Sequence, residues 1–296
     1  MRRILVTGGN KGIGLAIVGA VLDEHDDTFV FLGSRDLGRG RAARDRLVRA
    51  HPSWADRSEV IELDVSSDAS VHQAARWIRE RSRNEGTPLY AVVNNAGVGG
   101  ASLPLASVLE VNTFGVRRVC EATLPLLDPE RGRIVNITSA AGPSFVASCS
   151  PERQRFLTDP GIEWSSLAAF LAECLAMSGG KPAFEAAGLG DGNAYGLSKA
   201  CANAYTLCLA RQHPGLRVNA CTPGFIETDM TRAYVESQGK TPAELGMKTP
   251  SDGARAAMFL LFGEPEGNGR YYGSDGLRSP LDRYRSPGSP PYRDDA

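Results

Sequence analysis

The sequence predicts a doubly wound α/β fold, in which helices cover both faces of a parallel sheet, and three observations carry that prediction. Short β-rich apolar runs alternate along the chain with longer stretches of helical period. The runs are apolar on both faces, as strands buried from two sides must be. A glycine-rich turn stands directly between the first run and the first helical stretch. No linker divides the 296 residues, a length sufficient for one large core. A single domain over residues 1–273 is therefore expected, with residues 274–296 as a C-terminal tail.

The elements follow in order. RRILVTG (residues 2–8) is the first strand, and a helix runs from Gly12 to Glu24. TFVFLGS (28–34) precedes a helix from Gly38 to Ala50, and SEVIELDV (58–65) precedes one from Ala69 to Arg83. LYAVVNNAG (89–97), a helix around Ser107 to Leu127, and RIVNITS (133–139) continue the rhythm. After it come a helix from Ala194 to Gln212, LRVNACTPG (216–224), a helix near Ser251 to Phe262 and a strand near Gly269 to Tyr272. The interval 140–193 breaks the rhythm and reads as an insertion with its own helix near Ser165 to Met177. In the tail, Pro280, Pro287, Pro290 and Pro291 oppose ladders and helices, so a loose segment is expected.

Composition excludes several function classes. Lys and Arg total 33 against 34 for Asp and Glu, which gives no electrostatic reason to expect a nucleic-acid or anionic-membrane partner. The cysteines at 120, 149, 174, 201, 208 and 221 form no CxxC pair and do not cluster with the histidines. They read as buried free thiols in a reducing compartment, with no metal site. The first apolar run ends at Gly8, too soon for a signal peptide, and no apolar stretch approaches the ~18 residues of a membrane span. A cytoplasmic protein without a membrane partner is expected.

The turn after the first strand reads Thr7-Gly8-Gly9-Asn10-Lys11-Gly12-Ile13-Gly14. Glycines there let the backbone turn sharply and let a diphosphate approach a helix N-terminus, whose free amides and dipole favour an anion. Gly8, Asn10, Lys11, Gly12, Ile13 and Gly14 are thus candidate cofactor-binding residues. At the end of the second strand, Gly33-Ser34-Arg35 places a cation where an acidic residue would select NADH. Arg35 and Lys11 together favour the 2′-phosphate of NADPH, although Asp36 leaves some NADH use open. Asp64, with Val65 beside it, is placed either to accept from the adenine amine or to cap the following helix.

Tyr195 and Lys199 stand four residues apart, on one face of a helix. A cation near a phenol stabilises its phenolate and brings the group towards useful acid–base strength. Ser139 ends a strand, so its hydroxyl faces the crevice where ligands of open α/β sheets bind. Asn112 lies in mid-helix, where a kink that holds an ordered water would account for it.

TGxxxGxG, Asn94-Asn95-Ala96-Gly97, Asn112, Ser139, YxxxK and Pro223-Gly224 in this order resemble the short-chain dehydrogenase/reductase family over residues 2 to 272. GGNKGIGLAIV, Ser34-Arg35-Asp36, Ser148-Cys149-Ser150-Pro151-Glu152 and the long interval before Tyr195 are similar to its monomeric NADPH-dependent carbonyl reductases. The resemblance implies a Rossmann-type sheet and reduction of ketones, aldehydes or quinones with NADPH. In that scheme Tyr195 is the general acid, Ser139 orients the carbonyl, Lys199 binds the nicotinamide ribose, and Asn112 holds a proton-relay water. It further implies that Asn94 and Ala96 line the adenosine side, and that Pro223, Gly224 and Thr228 hold the nicotinamide amide. The insertion would cover the dimerisation face and leave a monomer. A reductase dedicated to one alcohol or ketone shares every motif, and a non-catalytic nucleotide-sensing protein is the remaining alternative. Phe145, Trp164, Phe225, Ile226 and Met230 are apolar groups that either line a substrate pocket or fill the core, the core being the favoured reading. Thr222 stands where the subgroup often has a second cysteine, the segment between Gly97 and Asn112 is short, and the tail has no counterpart in the family.

Overall fold

Alternation along the strands decides which face each apolar side chain fills. In β1 (Arg2–Val6), Ile4 and Val6 join one core and Leu5 the other; in β2 (Thr28–Ser34), Val30 and Leu32 follow Ile4, and Phe31 follows Leu5. The protein is described by a computed structural model over residues 1–85, 88–100 and 103–293. The sheet has eight strands. Its order is β3 (Ser58–Glu62), β2, β1, β4 (Leu89–Asn94), β5 (Arg133–Ile137), β6 (Arg217–Cys221), β7 (Tyr271–Tyr272) and β8 (Arg278–Ser279). All pairs are parallel except β7–β8. The expected doubly wound fold is present, and the strand order reverses between β1 and β4, which opens a crevice at their carboxyl ends.

One face is covered by α1 (Gly12–Glu24), with α2 (Leu37–Ala50) beside β2 and β3. The opposite face carries α3 (Asp68–Glu85) and a composite helix: α4 (Leu105–Leu109), a π-helical turn (Glu110–Phe114) and α5 (Gly115–Thr123). That composite replaces the single expected helix from Ser107 to Leu127. The insertion holds α6 (Ala141–Ser148), α7 (Pro151–Thr158), α8 (Trp164–Ala176) and α9 (Lys181–Ala186). Pro143 and short lengths hide α6 and α7 from a periodicity search. α10 (Ala194–Gln212) is buried continuously from Gly196 to Ala210, because α6, α7 and α8 pack on the side that the composite helix leaves free. Trp164 locks α8 there, edge-on to Phe114 and Tyr205 and under the Arg117 guanidinium, 4.2 Å from its ring centroid. α11 (Asp229–Gln238) buries none of its residues, which explains why no apolar pattern announces it, and α12 (Pro250–Phe262) packs against α1.

All six cysteines are buried and unpaired, and burial pushes the Cys221 thiol up to about 12. Among the described residues no helix is long and apolar enough to cross a membrane.

The tail departs from expectation; its last three residues, 294–296, lie outside the described part. β8 is a ladder formed before Pro280 interrupts it, antiparallel to β7. Beyond it Arg285 pairs with Asp275 at 2.7 Å and donates to the carbonyls of Ser289 (2.7 Å) and Pro290 (2.9 Å), so the segment is strapped to the domain. Burial pushes the Asp275 carboxyl up, but Arg285 and the amides of Gly288 and Leu277 outweigh it and hold the group below its ordinary value. The contribution is therefore present at neutral pH and lost only as pH falls below the usual carboxylate range. Arg285→Ala is expected to cost about 1–2 kcal/mol by removing the counter-ion of Asp275 and the donors to the Ser289 and Pro290 carbonyls, read as a lower thermal unfolding midpoint at pH 7.

Candidate active site

The turn after β1 has the conformation its glycines permit: Gly8 and Gly12 adopt positive φ (63° and 55°). At Gly14 an added Cβ would collide with Asn95 Nδ2 and the Gly8 carbonyl. Asn95 Nδ2 donates to the Thr7 carbonyl (2.9 Å), and the Thr7 hydroxyl accepts from the amides of Asn95 (3.0 Å) and Ala96 (2.9 Å). The ends of β1 and β4 are thereby tied side by side. They floor a cleft of about 1170 Å³ lined by Gly8, Asn10, Lys11, Gly12, Ile13, Gly14, Arg35, Asp64, Val65, Ala96, Tyr195, Lys199, Pro223 and Thr228 among others.

Asn94 is the exception, and its assignment to the cleft is corrected. Strand alternation turns it into the core, where Nδ2 donates to Asn136 Oδ1 (2.8 Å) and Cys120 Sγ (3.2 Å); its neighbour Asn95 faces the cleft instead. The parity of Val92 and Asn94 against Ala91 and Val93 carried this signal. Gly224 lies on an adjoining chamber rather than in the cleft itself.

At the adenosine end, the carboxylate of Asp36 is engaged as the N-cap of α2, accepting from the Arg39 amide at 2.9 Å. Arg35 is exposed on the cleft rim, and Arg39, which sequence reasoning missed, lies one helical turn further along the same rim. Lys11, expected to meet the 2′-phosphate together with Arg35, pairs with Asp229 at 2.8 Å and links the glycine turn to the start of α11. Asp64 accepts from the amide (3.0 Å) and hydroxyl (2.6 Å) of Ser66, so it closes a turn before α3 without capping that helix.

At the other end, the Asn193 side chain caps α10 by accepting from the Gly196 amide at 2.7 Å. Tyr195 and Lys199 leave the first turns of that helix together. Lys199 Nζ, 5.6 Å from the Tyr195 ring centroid, donates to the Ile137 carbonyl at 3.0 Å. Burial pulls Lys199 down to about 8. Tyr195 is raised by burial, against an opposing hydrogen bond with the Ser139 side chain. The net direction is opposite to the acidification expected from Lys199, because desolvation of the phenolate dominates.

Asn112 sits in the π-helical turn with no exposed surface. Its amide donates to the Val98 carbonyl (2.8 Å) and Ser198 Oγ (3.0 Å) and accepts from the Val98 amide (2.9 Å). Both amide hydrogens are spent on the chain, so the side chain clamps the segment after Gly97, and only a lone pair of Oδ1 is left for a water. Residues 101 and 102 of that segment lie outside the described part. Phe145 and Ile226 are core as expected, whereas Phe225 and Met230 are exposed and line the site.

A crevice at the switch point of a parallel sheet is the architecture of dinucleotide-binding enzymes. The family follows from sequence: the profile described as short chain dehydrogenase matches residues 2–151, and the chain belongs to the short-chain dehydrogenase family, as an oxidoreductase. Carbonyl reductase (NADPH) 3 of Rattus norvegicus is 34% identical, over 84% of this chain and 89% of its own length. Carbonyl reductase (NADPH) 1 of Pongo abelii is 30% identical, over 91% and 94%. The solved structure of salutaridine reductase from Papaver somniferum, 26% identical, superposes with a TM-score of 0.74 and covers 92% of this chain and 99% of that one.

Gly14→Ala is expected to cost about 1–3 kcal/mol, since both colliding groups are held by β1 and β4. Calorimetry should show a lower unfolding temperature, and titration with a dinucleotide weaker binding.

Proposed function

We propose that the chain reduces ketones, aldehydes or quinones to alcohols with NADPH, Tyr195 giving the proton. The observation that carries this reading is the meeting of Tyr195, Lys199 and Ser139 where the cleft meets the adjoining chamber, with Lys199 Nζ 5.6 Å from the Tyr195 ring centroid. The cleft fits the cofactor: a diphosphate finds the glycine turn and the free amides of α1, and a 2′-phosphate finds Arg35, with Arg39, which pairs with Asp36 at 3.6 Å, one turn further on. Bound there, NADPH supplies the hydride that the carbonyl carbon receives.

The chain's own groups do the rest. Ser139 and Tyr195 donate to the carbonyl oxygen, which stabilises the negative charge that develops on it, and the phenol proton completes the alcohol. A raised pKa suits this direction, because it keeps the phenol protonated at neutral pH. Lys199 has three N–H donors and spends one on Ile137, leaving two for the nicotinamide ribose. Asn112 fixes the Gly97–Val98 backbone beside Lys199, and Pro223, Gly224 and Thr228 would hold the nicotinamide amide. With α10 covered by the insertion, the enzyme acts as a monomer. The walled chamber beyond Ser139 favours a reductase of restricted substrate range over one that takes any accessible carbonyl.

Tyr195→Phe should lower kcat by about 10²–10⁴-fold and leave the NADPH dissociation constant nearly unchanged; full turnover in this variant would remove the acid assignment. With burial pulling Lys199 down to about 8, kcat/KM for NADPH should decline above about that pH as the ammonium loses its charge, and Lys199→Met should abolish that decline. A decline that persists unchanged in Lys199→Met would remove this lysine from the cofactor's binding.

A further inference from the structure

Beyond Ser139 lies a chamber of about 340 Å³, and two parts of the chain wall it: the segment carrying Gly246 and Lys248, and the C-terminal strap with Arg283, Tyr284 and Arg285. The strap is held in place by the bonds of Arg285 and by the Tyr292 amide, which donates to the Arg278 carbonyl at 2.9 Å. Arg283 lies 5.4 Å from the Tyr292 ring centroid.

The inner end of the chamber is hydroxyl-lined and uncharged. Tyr271 is 4% exposed, and Thr222 and Ser139 line the chamber with it. The outer end is basic. Among the described lining residues Lys248, Arg283 and Arg285 are charged, and none is a carboxylate. Arg285 is committed to Asp275, and Arg283 shares Nη1 with Asp282 at 3.0 Å while most of its guanidinium stays exposed. Lys248 is exposed and forms no ion pair among the described residues.

We propose that the physiological substrate is an oxo acid: its carbonyl lies at Ser139 and Tyr195, and its carboxylate lies between Lys248 and Arg283. This rests on the reductase reading above and adds the substrate class to it. Carboxylates are met by ammonium and guanidinium donors in charge-assisted bonds, and a site without acidic lining does not repel them. The strap supplies one of the two cations, which gives the tail a part in specificity.

The test compares 4-acetylbenzoate with its methyl ester, two ketones that differ only in charge, in the intact chain with NADPH. The ratio of kcat/KM for acid over ester should fall at least about fivefold in Lys248→Gln and further in Lys248→Gln/Arg283→Gln. Lys248→Arg should keep most of the ratio, and raised ionic strength should compress it in the parent enzyme. Thermal midpoints of the variants check folding. A ratio that is the same in parent and variants overturns the carboxylate seat while the reductase reading stands. Reduction of neither ketone, nor of a generic quinone or diketone, removes that reading and the seat with it.

Discussion

The bond from Lys199 Nζ to the Ile137 carbonyl organises the site. An ammonium that is 5% exposed costs several kcal/mol to bury unless polar partners replace its water. The end of β5 offers such a partner, because a strand's last carbonyls outrun its ladder. Seating the lysine there fixes α10 against the sheet, both along the helix and around it. Tyr195, one turn before Lys199, is then directed at Ser139, two residues beyond Ile137. One buried charge thus brings together groups from two elements that are distant in sequence.

The charges around the cleft are divided between structure and ligand by a similar logic. A carboxylate at the head of α2 satisfies helix amides, and Asp36, which caps α2 and also pairs with the Arg39 guanidinium at 3.6 Å, has no ion pair with Arg35 among the described residues. Lys11 is shared with Asp229 at the head of α11. α11 buries none of its residues and is fastened by that exposed ion pair and by the edge-on packing of Phe225 and Tyr234. Exposed pairs contribute about 0–1 kcal/mol, so α11 is the wall of the cleft that detaches at least cost.

The sheet was legible because its strands are apolar on both faces, and α1 and α10 because their glycine turn and YxxxK motif mark them. The π-helical turn was not legible: its extra residue adds no apolar position, and only the unexplained Asn112 pointed to it. α11 lacked any buried stripe to read. Asn94 was misplaced by motif and recoverable by alternation, a local rule that outranks a string match. Arg39 was recoverable too, one turn beyond Arg35. The strap is the deeper failure, since its prolines were read as forbidding order, whereas Arg285 supplies that order through side-chain bonds to carbonyls that no ladder uses.

Desolvation acts on Tyr195 and Lys199 with opposite signs: it raises the acid whose charged form is an anion and lowers the acid whose charged form is a cation. Two groups that differ little in ordinary acidity are driven apart, with the phenol held firmly protonated and the ammonium brought down to about 8. A phenol that must give its proton to a developing alkoxide profits from staying neutral until that charge appears. The lysine, with two donors unspent, gains most from a neighbour rich in acceptors. The same low-dielectric corner therefore favours a neutral phenol and sets a partly unsatisfied ammonium beside it, the combination that the proposed carbonyl reduction calls for.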